Sequence, residues 1–211
     1  MIYTLVADGT SDTVLVELLN WSLKQRGVTP VVAQSADFSR IPRPRTTEER
    51  LRAALDLYPC EVLFVHRDAE AQPADLRREE IADARRWAGV RHVPVVPVRM
   101  TEAWLLADEI AIRSAAGNPN GTQDLDLPEI GRLEELPNPK KVLHDALIQA
   151  SGLNARRRSR LPVRQRVHLI PNYIDDYSRL NVLPAFRTLQ EDIRILVEGL
   201  QAGSPPPGAR Y

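Results

Sequence analysis

The chain opens on a nearly unbroken apolar run, Ile2 to Ala7, ended by Asp8-Gly9-Thr10-Ser11-Asp12. Apolar runs without alternation suit strands buried on both faces, as in parallel sheets. Val14, Leu15, Leu18, Leu19 and Leu23 then recur at helical spacing, and Gly27 is a C-terminal stop. Val31 to Ala33 predicts a short second strand, and Phe38 to Arg45, with Pro42 and Pro44, a loop. Thr46 followed by Glu49 has the form of a capping box opening a helix to about Tyr58. Val62 to His66 is the second strong strand, ending at Arg67-Asp68-Ala69-Glu70. Pro73 to Ala88 reads as a charged surface helix with Pro73 suited to its first turn. Val93 to Val98 is the next strand. Pro94 and Pro97 each remove a ladder donor, so it is short, bulged or at an edge. A helix begins at Thr101-Glu102-Ala103-Trp104.

Beyond Ala116 the alternation stops. Gly117-Asn118-Pro119-Asn120-Gly121 is dense turn chemistry, Pro139 to Ala150 predicts a helix, and Leu183 to Leu200 a final amphipathic one. Strand–helix alternation predicts an α/β fold, a mostly parallel central sheet flanked by helices, with a C-terminal helical extension. The expected division is 1–116 for the α/β core, 117–203 for a helical extension packed on it, and 204–211 for a loose tail with three prolines. Trp21, Trp87 and Trp104 fall on amphipathic helices and are most simply core residues.

Composition narrows the function classes. Hydrophobic residues are 43% and charged residues 27%, which fits a soluble globular chain and excludes a wholly disordered one. No apolar run approaches the roughly 20 residues a membrane helix needs, and the N-terminus lacks a signal-peptide pattern. The single Cys60 forms no intrachain disulfide and no cysteine metal cluster, so the chain reads as cytoplasmic. Formal charge is zero, which excludes a general basic coat for nucleic acid. Only Lys24, Lys140 and Lys141 are lysines among 28 basic residues, a bias that genome composition explains more simply than phosphate recognition does. Gly-x-x-x-x-Gly-Lys-Ser/Thr, Gly-x-Gly-x-x-Gly and Gly-x-Ser-x-Gly motifs are all absent, and the four histidines lack metal-ligand spacing.

The chemistry lies in acids at strand ends. Asp8, Asp68, Glu70 and Glu102 each follow a predicted strand. In an open parallel sheet the strand C-termini form one edge, where ligands bind, so acids about 60 residues apart can meet there. Crowded carboxylates repel unless a cation or protons neutralise them. Oxygen donors favour magnesium, manganese or calcium over zinc, and such clusters serve phosphoryl transfer or phosphodiester cleavage. Each acid taken singly is also what a surface loop carries. Glu102 in a helix first turn is favoured by the macrodipole alone, and Asp12 has the ordinary role of a helix cap. Gly9 allows close backbone approach, and the amides from Gly9 to Asp12 are placed to face a phosphate at a helix start.

Asp8-Gly9-Thr10-Ser11-Asp12 before a helix, with a later apolar strand ending Asp68-Ala69-Glu70, resembles the Toprim pattern of Glu-Gly-x-x-Asp and Asp-x-Asp. That domain is shared by topoisomerases, bacterial primases and overcoming-lysogenisation-type nucleases. The segment Arg99-Met100-Thr101-Glu102-Ala103-Trp104-Leu105-Leu106-Ala107-Asp108, with Asn138-Pro139-Lys140-Lys141, is similar to a poorly characterised bacterial branch of Toprim-like proteins. Some of that branch are associated with ATPases and phage-defence loci. The resemblance spans roughly residues 1 to 190. It implies a Mg2+ (or Mn2+) site with Asp8, Asp68, Glu70 and Glu102 as ligands and catalytic groups, supported by Gly9, Asp12, Arg67 and Arg99. Asp8 replaces the usual Glu and Glu70 the usual Asp, exchanges that either compensate around one ion or mark a weakened site. The function implied is a metal-dependent nuclease, with an ATPase as a possible partner. The alternatives are a non-catalytic interaction or regulatory subunit of the same fold, and a phosphatase or nucleotidyltransferase acting on small substrates.

Other side chains carry weaker signals. Arg156, Arg157, Arg158 and Arg160, with Arg164 and Arg166, place six arginines in eleven residues, and no acid occurs between Asp145 and Asp175. Such a patch grips a phosphate backbone or another anionic partner, or is a solvated loop. Aromatic content of 5% argues against a stacking platform for single strands. His66 is expected to be a packed, hydrogen-bonded strand histidine before a ligand or base. Arg67 and Arg99 either balance the carboxylate edge or form structural ion pairs. Lys140 and Lys141 open a helix, an unfavourable place for cations that hints at an external anion.

Overall fold

A computed structural model of the chain describes residues 1–7, 9–42, 44–69, 72–86 and 89–203. Asp8, Glu70, Trp87, the last residue of the helix expected to reach Ala88, and the tail 204–211 lie outside the described residues. The chain divides into two units, residues 1–96 with 188–211, and residues 97–187. The sequence pattern puts its boundary near residue 117 instead. It changes character there, whereas the chain leaves the sheet unit directly after the last strand and returns to it within the final helix.

Four strands build the first unit: β1 (Ile2–Val6), β2 (Val32–Ser35), β3 (Val62–His66) and β4 (Arg91–Val95). Their order is β2-β1-β3-β4 and every pairing is parallel. The chain is thus an α/β protein of Rossmann-like arrangement, with a C-terminal helix. β3 is buried at all five positions, as its unbroken apolar run requires. β4 forms the sheet edge, where the missing N–H of Pro94 is tolerated.

Side chains alternate across the sheet. Val6, Leu63 and Val65 pack with Leu51 and Ala54 of α2 (Thr47–Leu57) and Ile81 of α3 (Ala74–Ala84). Tyr3 lies on the opposite face. It meets Phe64 edge-on at 5.0 Å and donates from its hydroxyl to Val16 and Asn20, on a segment that includes α1 (Leu15–Lys24). Burial pushes the Tyr3 phenol far above its ordinary range, with Glu17 adding to the effect. A 3-10 turn, Thr10–Val14, precedes α1. The Thr46 capping box forms as expected: Glu49 N–H donates to Thr46 Oγ1 at 3.1 Å, and Glu49 Oε2 accepts from Thr46 N–H at 3.3 Å.

Residues 97–187 are helical, with no strand among the described residues. The helices are α4 (Glu102–Leu105), α5 (Glu109–Ala116), α6 (Pro139–Ala150), α7 (Ala155–Arg158) and α8 (Val163–Val167), with 3-10 turns at Ile130–Glu135, Ile170–Tyr173 and Ser178–Val182. Trp104, Ile112, Leu143, Leu147 and Phe186 are buried, and Trp104 meets Phe186 edge-on at 5.6 Å. Gly117 ends α5 at φ 83°, the left-handed cap that glycine adopts without strain. The final helix, α9 (Pro184–Gln201), runs from the second unit into the first. No helix among the described residues is long and apolar enough to cross a membrane.

Candidate functional site

The sheet order fixes where a ligand belongs. From β1 the chain crosses to β2 on one side, and the next strand, β3, lies on the other. The strand ends of β1 and β3 therefore flank a topological switch point, where parallel sheets open a crevice. Val6 pairs with Val65, so the segments that follow Val6 and His66 leave the sheet side by side.

Three titratable side chains meet at that edge. His66 closes β3 and is 1% exposed. Its Nε2 stands 3.4 Å from Asp68 Oδ1 and 3.9 Å from Asp12 Oδ1. Asp12 and Asp68, distant in sequence, thus share one imidazole, and the Asp68 side chain stays 29% exposed on the open side. Asp12 is fixed from behind: its Oδ2 accepts from Gly9 N–H at 3.0 Å, and its own N–H donates to Gly9 O at 3.3 Å. This reciprocal cap occupies the Gly9 amide, which is therefore not the phosphate donor expected from sequence. Gly9 itself is extended at φ −143°, a conformation open to any residue.

The other candidates have partners of their own. Arg67 Nη1 donates to Thr47 Oγ1 at 2.7 Å and to Glu80 Oε1 at 2.8 Å, tying the end of β3 to α2 and α3. The hydrogen bond from Thr47 and the cations Arg77 and Arg67 hold the Glu80 carboxyl below its ordinary pKa against a partial desolvation cost. Glu102 lies in the second unit, 13% exposed, with Lys140 Nζ at 3.2 Å. Lys141 Nζ reaches Asp145 at 2.6 Å, so both lysines at the start of α6 have acids of the chain beside them. His144, on the same helix, is held below its ordinary pKa by burial first and by Lys140 next. Arg99 has a left-handed backbone, φ 63°, in the turn before α4. Asp8 and Glu70 lie outside the described residues.

The arginine-rich segment is a surface. Arg156, Arg157, Arg158, Arg160 and Arg164 are exposed. Arg158 Nε donates to Leu153 O at 2.6 Å. Arg166 is the exception: it donates to Ala115 O at 3.1 Å near the α5 C-terminus, where a cation complements the helix dipole.

His66 is packed within β3, as its strand position implied. The signal for its contact with Asp68 is the spacing of two residues. Asp37, an acid just beyond β2, follows the same strand-end rule and was not among the sequence candidates. Comparison with family models, with curated proteins and with solved structures finds no match to this chain.

Proposed function

We propose that the chain is a Toprim-like phosphodiesterase that cleaves nucleic acid with the help of a divalent metal ion. The observation supporting this is the meeting of Asp12 and Asp68 around buried His66 beside the β1/β3 switch point. Carboxylate oxygens there suit a hard cation such as Mg2+ or Mn2+. Among the described residues no group of three or more His, Cys, Asp and Glu side chains is arranged to hold an ion, so the reading needs Asp8 and Glu70 to complete the set. Asp68 would be a ligand, with His66 orienting it and Asp12, fixed by the Gly9 amide, supporting the same edge. A bound ion would supply Lewis-acid charge and an activated water. The exposed arginines from Arg156 to Arg160 would hold the phosphate backbone by charge, without reading sequence.

A second reading is favoured by specific contacts. Lys140 beside Glu102 meets its charge without an ion, and the buried His66 ring lies against Asp68 at 3.4 Å. On that reading the chain is a non-catalytic module that binds or regulates a partner such as an ATPase. Two measurements separate them. Asp68→Ala should abolish divalent-dependent cleavage of DNA and RNA oligonucleotides while the thermal unfolding curve stays cooperative. Unchanged cleavage by the variant would refute the site, and no calorimetric heat with Mg2+ or Mn2+ would favour the module.

A further inference from the structure

Beside the carboxylate edge, on the β1/β2 side, a cleft of about 510 Å3 opens at the same strand ends. Small-molecule sites span roughly 300–1,000 Å3 and pair apolar walls with a few placed polar groups. Here Phe38, Ile41 and Pro44 give the apolar walls, Gly9 and Thr13 give the wall shared with the Asp12 turn, and Asp37 stands at the end of β2. The Asp37 loop is held in shape: its N–H donates to Tyr58 Oη at 3.3 Å, and Tyr58 Oη donates back to Asp37 O at 3.1 Å. Its carboxylate accepts from Ser39 N–H at 2.8 Å and Ser39 Oγ at 3.0 Å. Those bonds hold it below its ordinary pKa, so it stays an acceptor across the physiological range. Two oxygens offer about four acceptor positions and Ser39 fills two, which leaves capacity for hydroxyl donors.

We propose that this cleft seats a ribonucleoside, with its base against Phe38, Ile41 and Pro44 and its ribose hydroxyls donating to Asp37. The topology supports the assignment. In dinucleotide-binding parallel sheets an acid beyond the strand next to β1 binds a ribose hydroxyl, and Asp37 holds the corresponding place beyond β2. The proposal rests on the phosphodiesterase reading for its purpose and selects RNA, or a ribonucleotide end, as substrate, since the 2′-hydroxyl distinguishes RNA from DNA.

The test is calorimetric titration of the full chain with AMP and with dAMP in EDTA, which separates binding from any metal or cleavage. AMP should bind about tenfold tighter than dAMP, the worth of one charge-assisted hydrogen bond. Asp37→Asn should erase that ratio, and Phe38→Ala should weaken both ligands alike. Equal affinities, no binding of either at millimolar concentration, or an AMP preference that survives Asp37→Asn would overturn the proposal. If AMP binds as expected while the wild-type chain cleaves neither DNA nor RNA oligonucleotides with Mg2+ or Mn2+, the phosphodiesterase reading fails and the ribonucleoside cleft stands.

Discussion

Lowering the pH from about 7.5 to about 5 should cost the folded chain about 2 kcal/mol through His92 alone. His92 lies on edge strand β4 and lines a groove with Arg78 of α3 and Asp192 of α9. Burial, followed by the charges of Arg85 and Arg78, lowers its pKa from 6.5 to about 4. Among the described residues its buried Nδ1 has no hydrogen-bond partner that would stabilise the protonated ring. Between these two values the unfolded chain takes up a proton that the folded chain refuses. The contribution is therefore complete above about pH 6.5 and is lost as pH falls toward about 4. Urea unfolding followed by circular dichroism, at both pH values, gives the loss for wild type and for His92→Gln. The variant, which cannot titrate there, should lose about 2 kcal/mol less than wild type. Equal losses in the two proteins would refute the reasoning. So would a proton NMR titration of His92 with a midpoint above about 6.

Thr46→Ala removes the hydroxyl that caps α2 and should lower unfolding free energy by about 1 kcal/mol; an unchanged urea midpoint would show that the cap contributes nothing. Arg99→Gly relieves a left-handed backbone and should raise stability by up to about 1 kcal/mol, read as a higher Tm. A lower Tm would mean that the Arg99 side chain contributes more than its backbone costs. Replacing Arg156, Arg157 and Arg160 together by Gln should leave the melting curve in place, because all three are exposed and make no ion pair among the described residues. The same change should flatten the salt dependence of oligonucleotide binding by up to about 0.9 per lost phosphate contact. Identical slopes would remove this surface from the interface.

Local rules made much of the sheet unit readable in the sequence. β3 is legible because five consecutive apolar or buried-compatible positions have no other stable home than a two-sided core. The start of α2 follows from Thr46 and Glu49, since the orphan amides of a helix start are satisfied by neighbours only three residues away. Pro94 restricted β4 to an edge or an irregularity before any pairing was known, because a missing donor is missing in every fold.

Tertiary structure decided what depends on distance through space. Strand order set β1 between β2 and β3, and only that order brings the ends of β1 and β3 to one crevice and leaves room for a cleft beside β2. His66 is packed as expected, but its neighbours Asp12 and Asp68 were not legible, since contact partners at long sequence separation leave no periodic trace. Arg67 was open to either a ligand or a structural ion pair, and Lys140 and Lys141 hinted at an external anion. The acids that meet them, Glu80, Glu102 and Asp145, became neighbours by helix packing or by a single helical turn. Charge type is written in the sequence; charge pairing is settled by which helices and strands come to lie together.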